Sequence, residues 1–300
     1  RLRVPFGPLA RIGFGNASVY RRAFDADGRI IGFNLDRTLR SIIRDAAGRI
    51  ESISDSQTPA LDQRFTYDAL DRLTGYQGYP GNQSFAYDAS GNRIALAVGG
   101  RVYAQTIDTA SNRLLETEGP LAGRFTYDAA GNTTAAPDYR ADYNDAGRLA
   151  RITSRGSPAI HLTNLLGQRI YKYGNRVEGG SIESVYDEAG RLLGEYDHNR
   201  QPIREYVYLE DTPVAVLTGP LGALDIGYVF VDHLDTPRLV TDEARRIRWR
   251  WDSAPFGETP ANENPEGLAR YAMPLRCPRQ VFDSESGLHY NYHRDCDPST

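Results

Sequence analysis

Polar and apolar residues alternate along this chain in short runs, and Asp and Gly cut the runs at regular intervals. Arg148-Leu149-Ala150-Arg151-Ile152 shows the alternation, and Arg124-Phe125-Thr126-Tyr127 is an aromatic and β-branched run that suits a strand. Helical periodicity is absent, and Asp, Gly and Pro recur too often for a helix longer than a few turns outside the last third. The pattern predicts an all-β protein.

The interruptions themselves repeat. Aromatic-Asp-x-x-Gly-(Arg/Asn) occurs as FDADGR from Phe24, YDASGN from Tyr87, YDAAGN from Tyr127 and YDEAGR from Tyr186. Looser copies begin at Arg44, Tyr67, Ile107, Tyr143 and Thr163, so that successive starts lie 20, 23, 20, 20, 20, 16, 20 and 23 residues apart. Each copy reads as a hairpin. The Asp carboxylate accepts hydrogen bonds from backbone N–H groups two residues on, and the glycine tolerates the positive φ that a tight turn needs. The turn residues expected to matter are Asp25, Gly28, Asp45, Gly48, Tyr67, Asp68, Tyr87, Asp88, Gly91, Tyr127, Asp128, Gly131, Tyr143, Gly147, Tyr186, Asp187 and Gly190. Two short strands cannot bury a hydrophobic face alone, so neighbouring units must stack. The irregular steps fit paired propeller blades poorly and favour a spiralling strip of sheet.

Composition narrows the function classes. With 35 basic and 39 acidic residues the formal net charge is −4, which gives no bias toward nucleic acid or an anionic membrane. Lys172 is the single lysine, and we attach no function to that preference for arginine. Cys277 and Cys296 are too few for a disulfide framework and lack zinc-site spacing. No run approaches the ~20 apolar residues of a membrane span, and Arg1-Leu2-Arg3-Val4-Pro5 does not open a signal peptide. Without an initial Met, the chain reads as an internal piece of a larger protein.

The repeats resemble the YD repeats of the Rhs family, of bacterial wall-associated proteins, of the C component of insecticidal Tc toxins and of teneurins. The resemblance sharpens after Asp211. Tyr228 to Asp242, containing Asp232-His233-Leu234-Asp235-Thr236-Pro237-Arg238, is similar to the family's "DHLGSPR-x-VTD". Trp249-Arg250-Trp251-Asp252-Ser253-Ala254-Pro255-Phe256-Gly257-Glu258 is similar to "WRWD-x-x-PFGE". Leu275 to Gln280 and Gly287 to Pro298 track "LRFPGQ" and "GLHYNYxRDYDP". The resemblance implies repeats over residues 1–227 and a repeat-associated core segment over 228–300. It implies a strip of sheet that spirals into a hollow β-shell around a variable C-terminal toxin, and a core segment that carries an aspartyl autoprotease.

Such a protease needs two neighbouring carboxylates, one ionised and one protonated. By motif match, Asp295 is one of them and Arg294 is its supporting arginine. The partner belongs to a downstream "DPIGL"-like motif, so this chain is expected to be inactive alone. An ordinary Arg294–Asp295 ion pair is the plainer alternative. Asp232 and His233 with Ser253 invite a triad reading, but no nucleophile elbow accompanies them. His233, His289 and His293 invite a metal, but the four-residue spacing would need a helix, so they read as structural, with no metal or cofactor. Arg245 to Trp251 mixes basic and aromatic residues as single-strand binders do, yet its alternation is that of a strand with one apolar face. The 19 tyrosines read first as packing residues with a polar tip and only second as sugar platforms.

Several residues depart from the family pattern. Asp235 and Thr236 replace Gly-Ser, Cys277 and Cys296 replace aromatic residues, and Arg279 replaces a glycine, where a demanding backbone conformation is expected. The reading is a non-enzymatic containment module of a secreted or delivered bacterial toxin, with its own C-terminal toxin as partner. A secretion-system spike or an immunity protein would be engaged through the full-length protein, with delivery by a type VI or similar system. A glycan-binding or adhesion scaffold is the alternative, and half of an autoprotease the second.

Overall fold

The computed structural model describes residues 2–3, 9–119, 122–220 and 222–300. Among them there is no α-helix. Single turns of 3-10 helix occur at Pro59–Leu61 and Glu178–Gly180, and no helix is long and apolar enough to cross a membrane. Among the described residues the strands form two 13-stranded antiparallel sheets and a small 3-stranded one, and within each sheet strands neighbour one another in chain order.

The local cause is one turn used repeatedly. In most copies the Asp N–H donates to the carbonyl four residues on, while the glycine N–H donates back to the Asp carbonyl, as for Asp45 with Arg49 and Gly48; at Asp108 the acceptor is Arg113, five residues on, and at Asp68 the residue that donates back is Asp71. This is a tight turn followed by a left-handed residue, which adds one residue to one strand and shifts the register beside it. The shift falls next to the aromatic residue, for example between Thr66 and Tyr67, Thr126 and Tyr127, and Val185 and Tyr186. Gly28, Gly48, Gly91, Gly131, Gly147, Gly167 and Gly190 hold φ between 69° and 91°. The Asp carboxylate completes the turn. Asp187 Oδ1 accepts from Ala189 N and Arg191 N, and its Oδ2 meets Arg191 Nε. Asn144 and Asn164 accept the same backbone bonds in the two copies that lack Asp.

The tyrosine of the motif acts on the preceding turn. Tyr67 donates its hydroxyl to Ile50 O, Tyr127 to Leu114 O, Tyr143 to Thr133 O and Tyr186 to Arg169 O. Each acceptor is the residue that leaves the previous turn, so the Asp builds its own hairpin and the Tyr latches that hairpin to the one before. Arg49 reinforces one such step, donating to Asp68 O and pairing with Asp71 while lying over the Tyr67 ring.

The same turn recurs at Asp197, Asp232 and Asp242. The segment similar to "DHLGSPR-x-VTD" is therefore itself built of these hairpins, and strands continue to Ile247–Arg250. Asp235 occupies the left-handed position with φ 60°, as do Asp71, Arg200 and Arg245 in their turns. Arg279, at the other expected glycine position, has φ 65°.

The chain divides into two compact units. The first comprises Arg1–Asn82 with Arg204–Pro278. Its interior is apolar and aromatic, with Tyr20, Tyr76, Phe230, Val240, Trp249, Trp251 and Met273 almost fully buried. The strand Ile247–Arg250 alternates as the sequence predicted, turning Trp249 inward. The second comprises Gln83–Ile203 with Arg279–Thr300. Here a small sheet of Val281–Phe282, His289–Asn291 and Arg294–Cys296 follows the hairpins, and Leu288 enters a core made with Phe125, Ala136, Ile152, Ala159 and Ile182.

Candidate functional site

A buried polar cluster lies inside the second unit, where the final segment meets two adjacent strands, Ser157–Thr163 and Arg169–Gly174. These strands pair His161 with Lys172 in register, and the bulge at Thr163 opposes Arg169. His161, Arg169 and Lys172 are all buried. The turn after Val281–Phe282 supplies Asp283 and Glu285, both buried. Arg169 forks onto Asp283 through both terminal nitrogens. Lys172 Nζ lies 2.7 Å from Asp283 Oδ1 and 3.0 Å from Glu285 Oε1. The Arg169 guanidinium also covers the Tyr290 ring, and the Arg169 backbone N–H donates to the Tyr290 hydroxyl.

Asp295 closes this cluster. It pairs in register with Tyr290, and its Oδ1 lies 4.0 Å from Arg169 Nη1, beyond hydrogen-bond reach. That oxygen is buried and has no hydrogen-bond partner. Burial, opposed by Arg169 but assisted by the charges of Asp283 and Glu285, pushes the Asp295 carboxyl up to about 7. For Asp283, burial would act the same way, but Arg169 and Lys172 outweigh it and hold the carboxyl below the ordinary range. Glu285 is raised, by burial and by Asp283. His161 is pushed down to about 3 by burial and by Arg169, so it stays neutral.

His161, Asp283 and Glu285 bring donor atoms within 4.8 Å of one another, as a cation site would. The cation there is the Lys172 ammonium, which already bonds both carboxylates. The cluster holds one carboxylic acid that is half protonated near neutral pH beside a guanidinium, and two carboxylates committed to cations. Asp295 can donate a proton or a hydrogen bond. Asp283 and Glu285 are not free to act as its ionised partner.

Of the two residues that the motif singled out, Asp295 sits in the cluster, while Arg294 is exposed on the other side of the same strand. The two form no ion pair among the described residues; Arg169 is the cation that faces Asp295. Arg169, Lys172, Asp283, Glu285 and His161 escaped the sequence reading. Their partners lie more than a hundred residues away, and the available signals were weak: Lys172 as the single lysine, and an acidic pair in the gap between two motifs.

The other candidates lie in the first unit. Asp232 is buried, caps its turn through Leu234 N and Thr236 N, and binds Arg238 Nε at 2.8 Å. Arg238 in turn donates to Ser253 Oγ at 2.8 Å and covers the Trp251 ring. Ser253 is thus held by an arginine rather than by His233, whose Nδ1 has no partner, and no Asp-His-Ser relay forms. Pro237 begins a strand, Trp249 and Trp251 are fully buried, and Gly257 takes φ 84° in the turn that Pro255 and Phe256 enter. Of the three histidines read for a metal, His233 belongs to this unit, His289 meets Gln280 at 3.1 Å, and His293 stands at the tip of the last hairpin.

A meander of interlatched hairpins defines a class of β-shell wall proteins. The model of the Teneurin YD-shell family matches residues 31–268, and the chain belongs to that family. It is 27% identical to Double-stranded DNA deaminase toxin A of Burkholderia cenocepacia over 99% of this chain and 22% of that protein. It is 25% identical to Toxin protein Tse5 of Pseudomonas aeruginosa over 88% of this chain and 24% of that one. The chain thus spans about a quarter or less of these relatives. Its fold matches part of the Photorhabdus luminescens Tc holotoxin pore with a TM-score of 0.71 at 15% identity, over 96% of this chain and 17% of that one.

Proposed function

We propose that this chain is a stretch of the wall of a secreted or delivered toxin, and that its role is steric: to enclose a C-terminal toxin segment until release. The observation that carries the reading is the latching of four hairpins to the ones before them through Tyr67, Tyr127, Tyr143 and Tyr186, which ties successive hairpins of the meander together. The toxin relatives support it, since this chain matches only a fraction of each and leaves room for a separate active segment. Electron cryomicroscopy of the full-length protein tests it. Density for the C-terminal segment inside the wall is expected, and a segment ordered entirely outside it sinks the proposal.

One observation favours a second reading, that Asp295 is the protonated member of an aspartyl autoprotease. A buried carboxyl near half-protonation with an unused oxygen is what a general acid needs. Its ionised partner would have to come from outside the cluster, because Arg169 and Lys172 occupy Asp283 and Glu285. In the full-length protein, Asp295→Asn should abolish self-cleavage and Arg294→Gln should leave most of it; unchanged cleavage in the first variant ends this reading.

A further inference from the structure

Arg169 stands between two buried carboxyl groups and bonds only one of them. It forks onto Asp283, with Nη2 2.8 Å from Oδ1, while its Nη1 stays 4.0 Å from Asp295 Oδ1. A guanidinium–carboxylate hydrogen bond needs about 2.8 Å, so closing on Asp295 would take a shift of roughly 1 Å. The Arg169 backbone is pinned, its N–H donating to the Tyr290 hydroxyl and its carbonyl accepting from Tyr186. What remains to be placed is the end of the side chain, and the fork decides where it rests.

Asp283 is fixed in turn. Lys172 Nζ holds Asp283 Oδ1 at 2.7 Å and is itself bonded to Glu285. Charge gives the same ordering. The cluster contains two cations, Arg169 and Lys172, beside a neutral His161; Asp283 and Glu285 balance them, which leaves Asp295 as the acid in excess. A buried carboxylate without a counter-charge is costly, so the excess acid is the one that keeps its proton.

From this geometry we infer that Asp283 is a positioning residue for Asp295: its fork tethers Arg169 short of an ion pair and so leaves Asp295 Oδ1 open to carry a proton. The use of that proton in cleavage rests on the autoprotease reading; the tether rests on the cluster alone. Without the Asp283 charge, Lys172 keeps Glu285, Arg169 closes on Asp295, and Asp295 gives up its proton to balance it. The other groups that face Asp295 are Tyr290, paired with it in register, and Tyr143 from the strand Tyr139–Tyr143. Burial raises both phenols and the neighbouring Cys296 thiol, so none of them gains charge near neutrality. Glu285 is the other acid that burial raises, and Lys172 faces it in every variant below.

The test compares wild type, Asp283→Asn and Arg169→Gln by two readouts. Carbon-13 NMR of the intact chain follows the Asp295 carboxyl, assigned by its loss in Asp295→Asn and expected near 7 in wild type. Self-cleavage of the full-length protein is timed after dilution from urea into buffers from pH 5 to pH 9. The proton donor is lost as pH rises through the Asp295 titration, so cleavage falls on the alkaline side. Asp283→Asn should move the titration and that alkaline limb down by about one pH unit, so that the share of its own plateau rate kept at pH 7 falls roughly fivefold. Arg169→Gln should move both up by about as much, and a general loss of stability cannot give shifts of opposite sign. A titration unmoved or raised in Asp283→Asn overturns the tether. If Asp283→Asn does not fold, Arg169→Gln decides, and an unmoved or lowered titration there overturns it. Opposite shifts by NMR with cleavage untouched by Asp295→Asn would remove the autoprotease reading and keep the tether; cleavage abolished by Asp295→Asn with the shifts missing would remove the tether alone.

Discussion

Replacing Asp295 by Asn removes an ionisation while keeping the side chain's shape. The folded-state carboxyl titrates near 7 against an ordinary 3.8, a displacement of about three pH units, which corresponds to at most about 4 kcal/mol at 1.36 kcal/mol per unit. The sign follows from proton binding. Below pH 3.8 the carboxyl is protonated in both folded and unfolded chains and costs nothing. Between pH 4 and 7 the folded chain binds the proton more tightly, so stability falls as pH rises, and above 7 the whole penalty is in force. Urea denaturation of wild type and Asp295→Asn, followed at pH 4.5 and pH 8, therefore should show an advantage for Asn of about 1 kcal/mol at the lower pH, growing to about 4 kcal/mol at the higher. A variant less stable than wild type at pH 8 would mean that Asp295 is ionised and paired with Arg169, and would refute the argument.

Other consequences follow from the turns and the cluster. Lys172→Met strands Asp283 and Glu285 without their ammonium, and unfolding measurements should show a loss of roughly 3–5 kcal/mol, the usual cost of breaking a buried pair. Tyr186→Phe removes the latch to Arg169 O and should cost about 1 kcal/mol in the same assay, with no change in secondary structure by circular dichroism. Asp187→Ala should lower the melting temperature while Asp187→Asn retains most of it, because Asn144 and Asn164 already fill that role in other copies. Arg200→Gly relieves a left-handed residue at φ 60° and should stabilise by up to about 1 kcal/mol in thermal melts.

The hairpin was legible in the sequence because its cause is local: Asp, Gly and the aromatic residue lie within six positions, and each makes a bond that the spacing requires. That the tyrosine reaches back to the previous turn was not legible, since nothing in Tyr-Asp says where a phenol hydroxyl ends. The extra hairpins at Asp197, Asp232 and Asp242 were missed because Arg200, Asp235 and Arg245 stand where the pattern sought glycine. Arg279 was legible as a strained glycine position through the family resemblance. The Asp295 cluster was only partly so: a motif pointed to Asp295, but the cation that faces it, Arg169, arrives from a strand far away in sequence and belongs to no motif of its own.

The central claim is containment, and proteolysis of the full-length protein tests it most directly. Under native conditions, with the wall intact, the C-terminal segment should resist trypsin as long as the hairpins do, and become cleavable only when urea opens the sheet. Rapid native digestion of that segment while the hairpin region survives would contradict the account.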